Sequence, residues 1–304
     1  MIRASWVEEM PTMSNPLQAK YYADSATQQR VVVLQRETLA RDTFRLRIAA
    51  PRLAARFLPG QFLMVRLPDS DDPLLGRAFA LYDVILDDQG RPFAVDFVFL
   101  VVGKLTGRLA RLHAGDELIV WGPLGNGFCP PPADHLIMVA GGIGQTPFLA
   151  LAKEMLGRQS YGQPARRSSL ARQVTLCYGA RTADLLAGVP QFEQAGVCVK
   201  ISTDDGSRGH HGLVTDLLRN EVEHSKPSSC HVVCCGPERM MEAVSKLSAE
   251  LDLPCEVSLE TPMACGIGLC FSCVAKVLDD EGNWDYKRTC VEGPVFDAGK
   301  IVWA

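Results

Sequence analysis

Nowhere does this 304-residue chain run for about 18 uninterrupted apolar residues, so no transmembrane helix is expected. The longest apolar stretch, Leu136 to Leu151, is broken by Gly141, Gly142, Gly144 and Pro147. The N-terminus lacks an apolar core and does not read as a secretory signal. Dense blocks of lysine or arginine are also missing, and the net charge is only −4. Nucleic acid and anionic membrane are therefore not expected as partners. No internal repeat occurs.

Apolar residues are plentiful at 47%, enough for real cores, and the length suits two or three domains. Cysteine is abundant: there are 11, an odd number, and most are scattered through apolar, strand-like runs. Without a secretory signal, that usage points to a reducing cytoplasm rather than a disulfide framework.

The expected fold is a multidomain α+β protein. Residues 1–28 lack periodicity and read as an extension. Residues 29–130 read as a small antiparallel β-barrel, with strands at Val31–Gln35, Thr43–Ile48, Phe62–Leu67, Ala78–Tyr82, Phe93–Val102 and Glu117–Trp121. One helix is expected there, at Lys104–Leu112. Residues 131–253 alternate strand and helix, as a parallel sheet with crossover helices does. Arg158–Arg172 is polar and reads as a surface loop. Residues 254–304 form a short terminal segment with clustered cysteines.

That cluster is Cys265, Cys270 and Cys273 in a C-x4-C-x2-C spacing, followed by Cys290. The spacing matches the plant-type [2Fe–2S] arrangement. Three sulfurs must converge from one tight loop, and Gly266 and Gly268 allow the necessary backbone turns. Backbone N–H groups of such a loop can aim at the sulfurs. The alternatives are a zinc site, for which two separated C-x2-C pairs would be usual, or unconnected core cysteines. The other seven cysteines read as core residues.

Two loops have the character of nucleotide sites. Gly141-Gly142-Ile143-Gly144-Gln145-Thr146-Pro147 follows a strand and precedes a helix, where backbone amides and a helix N-terminus favour anions. Cys235-Gly236-Pro237 ends a later strand and should lie on the same sheet edge. Thr203-Asp204-Asp205-Gly206 ends a third strand. In the β-rich part, Arg77 stands at a strand start, where its guanidinium could clamp a pyrophosphate. Phe79, two residues on, could pack on a flavin ring. The alternatives are an ordinary strand–helix turn and a surface arginine.

The order Arg-x-Phe-x-Leu, Gly-Gly-Ile-Gly-x-x-Pro and Cys-Gly-Pro resembles the ferredoxin–NADP reductase superfamily. Glu260 to Cys273, Cys290 to Phe296, and Gly122 to Phe128 narrow the resemblance. It is to the electron-transfer subunit of bacterial NAD-linked dihydroorotate dehydrogenase, over residues 30 to 300. The resemblance implies an FAD-binding β-barrel, an NAD-binding α/β domain and a C-terminal [2Fe–2S] segment. It places FAD contacts on Arg77, Ala78, Phe79, Ala80, Val98, Phe99, Leu100, Leu105 and Thr106. It places NAD contacts on Gly141, Gly142, Gly144, Pro147, Cys235, Gly236 and Pro237. It makes Cys265, Cys270, Cys273 and Cys290 the cluster ligands. Ala78 and Ala80 depart from the family's Pro and Ser/Thr, so a hydroxyl is missing. Leu105 replaces a glycine, and a side chain there is expected to press on the cofactor.

The implied activity is electron transfer in pyrimidine biosynthesis. Electrons pass from a flavin-containing dihydroorotate dehydrogenase catalytic subunit, through [2Fe–2S] and FAD, to NAD+. NAD takes a hydride and the cluster a single electron, so the flavin stands between them. No side chain needs to act as a catalytic acid or base. One alternative is a related reductase subunit for ferredoxin, sulfite reductase or hydrogenase-type partners, with NAD or NADP. Asp204 and Asp205 disfavour a 2′-phosphate, whereas Arg181 and Arg208 keep it open. An alternative of another class is a zinc-bearing, non-catalytic binding protein.

Overall fold

The computed structural model describes residues 23, 26–68, 72–166, 168, 170–223 and 229–303. Two seven-stranded sheets and one hairpin account for its strands.

The first sheet is antiparallel, in the order β4-β3-β7-β1-β2-β6-β5. Its strands are β1 (Thr27–Ala40), β2 (Thr43–Ala49), β3 (Phe62–Arg66), β4 (Arg77–Ala80), β5 (Asp83–Leu86), β6 (Pro92–Leu100) and β7 (Glu117–Leu124). Side chains alternate as a half-buried strand requires: Leu46 and Ile48 of β2 are buried in the core, while Arg45 and Arg47, alternating with them, are half-buried and pair with Asp96. Register shifts in β1, at Val33/Gln35 and Thr38/Ala40, bend the sheet into a curl around one apolar core. The edge strands β4 and β5 are consecutive in the chain. Two short helices, α1 (Pro51–Ala54) and α2 (Lys104–Leu109), complete this unit.

The second sheet runs β11-β10-β9-β8-β12-β13-β16. It comprises β8 (His135–Gly141), β9 (Gln173–Ala180), β10 (Cys198–Thr203), β11 (His210–His211), β12 (Cys230–Cys235), β13 (Cys255–Ser258) and β16 (Val295–Asp297). All pairs are parallel except β13 with β16. Every residue of β8 is buried, because helices cover both faces. Leu136, Met138 and Ala140 face α3 (Phe148–Met155) and α4 (Val189–Ala195). Ile137 and Val139 face α5 (Val214–Glu223) and α6 (Glu238–Glu250). The hairpin of β14 (Val274–Leu278) and β15 (Trp284–Arg288) follows the cysteine loop.

Several details differ from the sequence reading. Strand β1 begins at Thr27, inside the expected extension; residues 1–22, 24 and 25 lie outside the described residues. Strands β13 and β16 extend the parallel sheet, so a boundary at 253/254 would cut through one sheet. The stretch 158–172 is more than a surface loop. Tyr161 is buried in the core of the curled sheet, Gln159 Nε2 donates to Val84 O at 2.8 Å, and Arg166 pairs with buried Glu154. Among the described residues, no helix is long and apolar enough to cross a membrane.

Candidate functional site

The cysteine loop rests on the curled sheet. Gly266 has φ +73°, and a Cβ there would lie 2.6 Å from Met64 Cγ and 3.1 Å from Leu124. Only glycine permits both the turn and the contact. Met64 of β3 pairs in register with Ala78 of β4 on one side and Trp121 of β7 on the other. The Trp121 indole donates to Cys265 O at 3.0 Å. One apolar group therefore contains Phe62, Met64 and Leu124 together with Cys273 and Cys290, flanked by Ala78 and Trp121.

The four thiols couple as two pairs: Cys265 helps to lower the pKa of Cys270, and Cys290 lowers that of Cys273. The first pair is the outer one, with Cys270 exposed; Cys273 and Cys290 are each 1% exposed. Among the described residues, no three cysteine, histidine or carboxylate side chains gather around a single ion position. Two thiolate pairs suit a two-iron cluster, which takes two cysteines on each iron. Backbone N–H groups aim at the sulfurs: Ile267 N–H donates to Cys265 Sγ at 3.4 Å, and those of Ser272 and Gly268 serve Cys270 and Cys290. The Ser272 hydroxyl, with its N–H, pushes the Cys270 thiol down to about 6. Cys290 lowers the pKa of Cys273, and Cys273, with burial, raises that of Cys290.

The Cys290 side of the loop is clamped by the sheet junction. Asn126 Nδ2 donates to Val295 O at 2.7 Å, and Val295 N–H donates to Asn126 Oδ1 at 3.0 Å. Asn126 N–H donates to Gly293 O at 2.6 Å. This accounts for the Gly122–Phe128 motif: it holds the chain just after Cys290.

The two glycine loops meet. Strands β8 and β12 are adjacent, and the order reverses between them, which is where open α/β sheets bind ligands. Gly141 ends β8, and Gly142–Gln145 forms a 3-10 turn before Pro147 and α3. A Cβ on Gly144 would lie 2.3 Å from Cys235 O. Gly142, by contrast, faces open space, with φ +55°. Gly236 packs against Gly141. The buried Cys235 thiol is held well above its ordinary value by burial and then by the charge of Glu260, so it stays protonated. Beside this edge, Tyr82 Oη and both amide atoms of Gln145 are buried without hydrogen-bond partners. Such atoms are costly and mark the seam as a place for water or ligand. Thr203-Asp204-Asp205 ends β10 on the same edge, where Asp205 accepts Ser207 N–H at 3.0 Å and its hydroxyl at 2.6 Å.

The expected flavin segments lie together. Lys104 pairs with Asp72 at 2.9 Å and Arg108 donates to Asp72 O at 2.6 Å, tying α2 to the loop before Arg77. Arg77 is exposed and donates to Gly76 O at 3.0 Å. Ala78 and Ala80 are half-buried. Phe79 packs inward on Phe97 and Phe99, with ring centroids 5.1 and 5.9 Å away. Val98, Phe99 and Leu105 are core side chains, and Leu100 is half-buried. From α2 the Leu105 side chain turns into the core of the curled sheet. Thr106 Oγ1 accepts the N–H groups of Val102 and Gly103, both at 3.0 Å. Around a Cβ on Gly103 or Gly107 there is open space.

Residues 260–302 match the family model for the iron–sulfur cluster binding domain of dihydroorotate dehydrogenase B, and residues 138–246 match that of the oxidoreductase NAD-binding domain. The electron-transfer subunit of dihydroorotate dehydrogenase B (NAD(+)) from Desulforamulus reducens is 38% identical over 267 residues, covering 87% of this chain and 94% of that protein. The chain belongs to this family of electron-transfer subunits. The corresponding subunit from Bacillus caldolyticus is 32% identical, over 90% of this chain and 98% of its own length. Among solved structures, the NADH-dependent reduced ferredoxin–NADP oxidoreductase matches with a TM-score of 0.73 and 26% identity over 90% of each chain. Phthalate dioxygenase reductase shares the fold, with a TM-score of 0.56 over 87% of this chain and 94% of its own.

The sequence reading singled out neither Trp121, which bonds the cysteine loop, nor Tyr82, whose hydroxyl is buried and unpartnered beside Gln145. Gln145 belongs to the Gly141–Pro147 loop that the sequence marks as a nucleotide site.

Proposed function

We propose that this chain carries electrons from a flavin-containing dihydroorotate dehydrogenase subunit to NAD+, in pyrimidine biosynthesis in the cytoplasm. The observation that carries the reading is the shared apolar group joining Ala78, in the expected flavin strand, to Cys273 and Cys290 through Met64 and Trp121. FAD would supply conversion between single electrons and hydride, and [2Fe–2S] would supply single-electron passage. Cys265, Cys270, Cys273 and Cys290 would hold the cluster. Arg77 to Ala80, Val98 to Leu100, and the Leu105-Thr106 turn would hold FAD, chiefly through backbone because most of those side chains are in the core. Gly141, Gly142, Gly144, Pro147, Cys235, Gly236 and Pro237 would receive NAD. Asp204 and Asp205, at the same edge, favour a free ribose hydroxyl over a 2′-phosphate.

The exposed side of the cysteine loop presents Leu269 and Phe271, 67% and 59% exposed, beside Cys270. The catalytic subunit is expected there.

The test is anaerobic purification with a dihydroorotate-oxidising subunit. Stoichiometric iron, sulfide and flavin with dihydroorotate-dependent NADH formation are expected. Zinc without iron or flavin would overturn the electron-transfer reading. Intact cofactors without dihydroorotate-linked NAD reduction would overturn the assignment of partner.

A further inference from the structure

Among the described residues, Arg288 is the only arginine or lysine in the buried interior, at 4% exposure. A buried guanidinium is held only where it is paired and hydrogen-bonded. Here every partner belongs to the cysteine loop or adjoins it. Arg288 Nη1 donates to Gly268 O at 3.1 Å, between Cys265 and Cys270. Its Cζ lies 5.1 Å from the ring centroid of Phe271, between Cys270 and Cys273. Its Nε donates to Glu292 Oε2 at 3.2 Å, and its own N–H donates to the same oxygen at 2.7 Å. Cys290 lies between the two residues in sequence. In register, Arg288 pairs with Val274, the neighbour of Cys273. One cation thus touches each of the intervals that separate the four cysteines.

Such a residue does more than stiffen the loop. Four thiolates and two irons gain one negative charge on one-electron reduction. A fixed cation nearby favours that added charge and a fixed anion opposes it, most strongly away from water. Lys287, 3.9 Å from Glu292 and 39% exposed, is screened by solvent and counts for less.

We propose that Arg288 and Glu292 form a charge couple that sets the reduction potential of the cluster, with Arg288 raising it and Glu292 lowering it. The assignment rests on the proposed function, in that it presumes a cluster on these cysteines. The Arg288 side chain is a positioning and tuning group, not a catalytic residue.

The experiment is a redox titration of the flavin- and cluster-loaded protein, followed by electron paramagnetic resonance, for wild type, Arg288→Met, Arg288→Lys and Glu292→Gln. Arg288→Met is expected to shift the midpoint to more negative potential, Arg288→Lys to shift it less, and Glu292→Gln to shift it to more positive potential. A loop-stiffening role alone would not give opposite signs. Midpoints that stay put in cluster-loaded Arg288→Met, or variants that shift with the same sign, overturn the proposal. If Arg288→Met loses its iron, Glu292→Gln decides: an unmoved or more negative midpoint overturns it. A wild-type protein with no resonance from a reduced two-iron cluster overturns the proposed function itself, so the two failures are distinguishable.

Discussion

The Trp121 indole N–H donates to the carbonyl oxygen of Cys265 across 3.0 Å, joining two residues 144 positions apart. The other edge of the same ring lies against Gly76, where a Cβ would come within 2.6 Å of Trp121 Cη2. Gly76 precedes Arg77, the first residue of β4 and of the proposed flavin strand. One side chain therefore touches both the start of β4, the proposed flavin strand, and the cysteine loop.

Trp121→Phe removes the N–H and keeps most of the ring. The loss of one hydrogen bond of this kind costs about 1 kcal/mol. Faster hydrogen exchange in residues 263–268 is expected, together with slower electron equilibration between flavin and cluster after rapid mixing with NADH. Unchanged exchange and unchanged equilibration would show that the indole contact is incidental.

Gly266 makes a stricter demand. An alanine there pays about 1–2 kcal/mol for left-handed backbone and meets Met64 Cγ at 2.6 Å, with Leu124 behind it. Met64 is fully buried and cannot withdraw. Gly266→Ala is expected to lose at least half of its bound iron and sulfide by colorimetric assay while keeping its flavin. Full iron content would mean that the loop relaxes more than this packing allows.

How far these features can be read from sequence depends on whether their causes are local. The apolar run of β8 announces a strand because both faces are covered. The Cys265, Cys270 and Cys273 triplet announces itself because one loop brings the thiols together. The two glycine loops were legible for the same reason, being short and tied to strand ends. Trp121 and Arg288 were silent, since each acts on residues of another segment, Cys265 for the one and Gly268 for the other. Strand β16 has only three residues and joins an edge laid down earlier, so no periodicity marks it. The direction of the Leu105 side chain depends on how α2 packs, which local spacing does not record.

Gly144 carries a prediction about nucleotide binding. Its Cα abuts the backbone of β12, and a Cβ would sit 2.3 Å from Cys235 O. A backbone oxygen cannot rotate out of the way, so Gly144→Ala must separate the two loops. The Michaelis constant for NADH is expected to rise roughly tenfold or more, equivalent to about 1.4 kcal/mol. Flavin content and reduction by dithionite should be unchanged. A wild-type Michaelis constant would remove these loops from the nucleotide site.

Acid sensitivity is expected at the opposite edge of the parallel sheet. His135 is buried, its Nε2 lies 2.9 Å from Thr175 Oγ1 and 3.7 Å from Glu221, and Cys230 Sγ is 4.0 Å from its Nδ1. Burial lowers its pKa below the ordinary 6.5, with Glu221 opposing in part. A depressed value means that the unfolded chain binds the proton more readily. The contribution to stability is full above about 6.5 and is lost as pH falls through the lower folded value. Urea midpoints should therefore fall between about pH 7.5 and about pH 5.5, and fall less in His135→Gln. Equal pH slopes in both proteins would assign the acid sensitivity elsewhere.

The seam between the sheets depends on one buried carboxylate. Asp83 of β5 is paired with Lys153 of α3, accepts the Tyr161 hydroxyl at 3.0 Å and accepts Val84 N–H at 2.9 Å. Its side chain is 6% exposed, against 25% for Lys153. Burial raises the Asp83 pKa, and Lys153 is the group that most opposes that rise. Lys153→Met keeps the length of the aliphatic stem but leaves the buried carboxylate with the neutral Tyr161 hydroxyl and Val84 N–H and without its lysine. Removing one partner of a buried pair costs about 3–5 kcal/mol, and the partial exposure of Lys153 places this case toward the lower end. Asp83→Asn with Lys153→Met removes both charges together and should recover most of the loss, as a thermal-unfolding double-mutant cycle would measure. If the two single substitutions simply add, Asp83 and Lys153 do not hold the sheets together as a pair, and the seam must rest on Glu154, Arg166 and the apolar contacts of Tyr161.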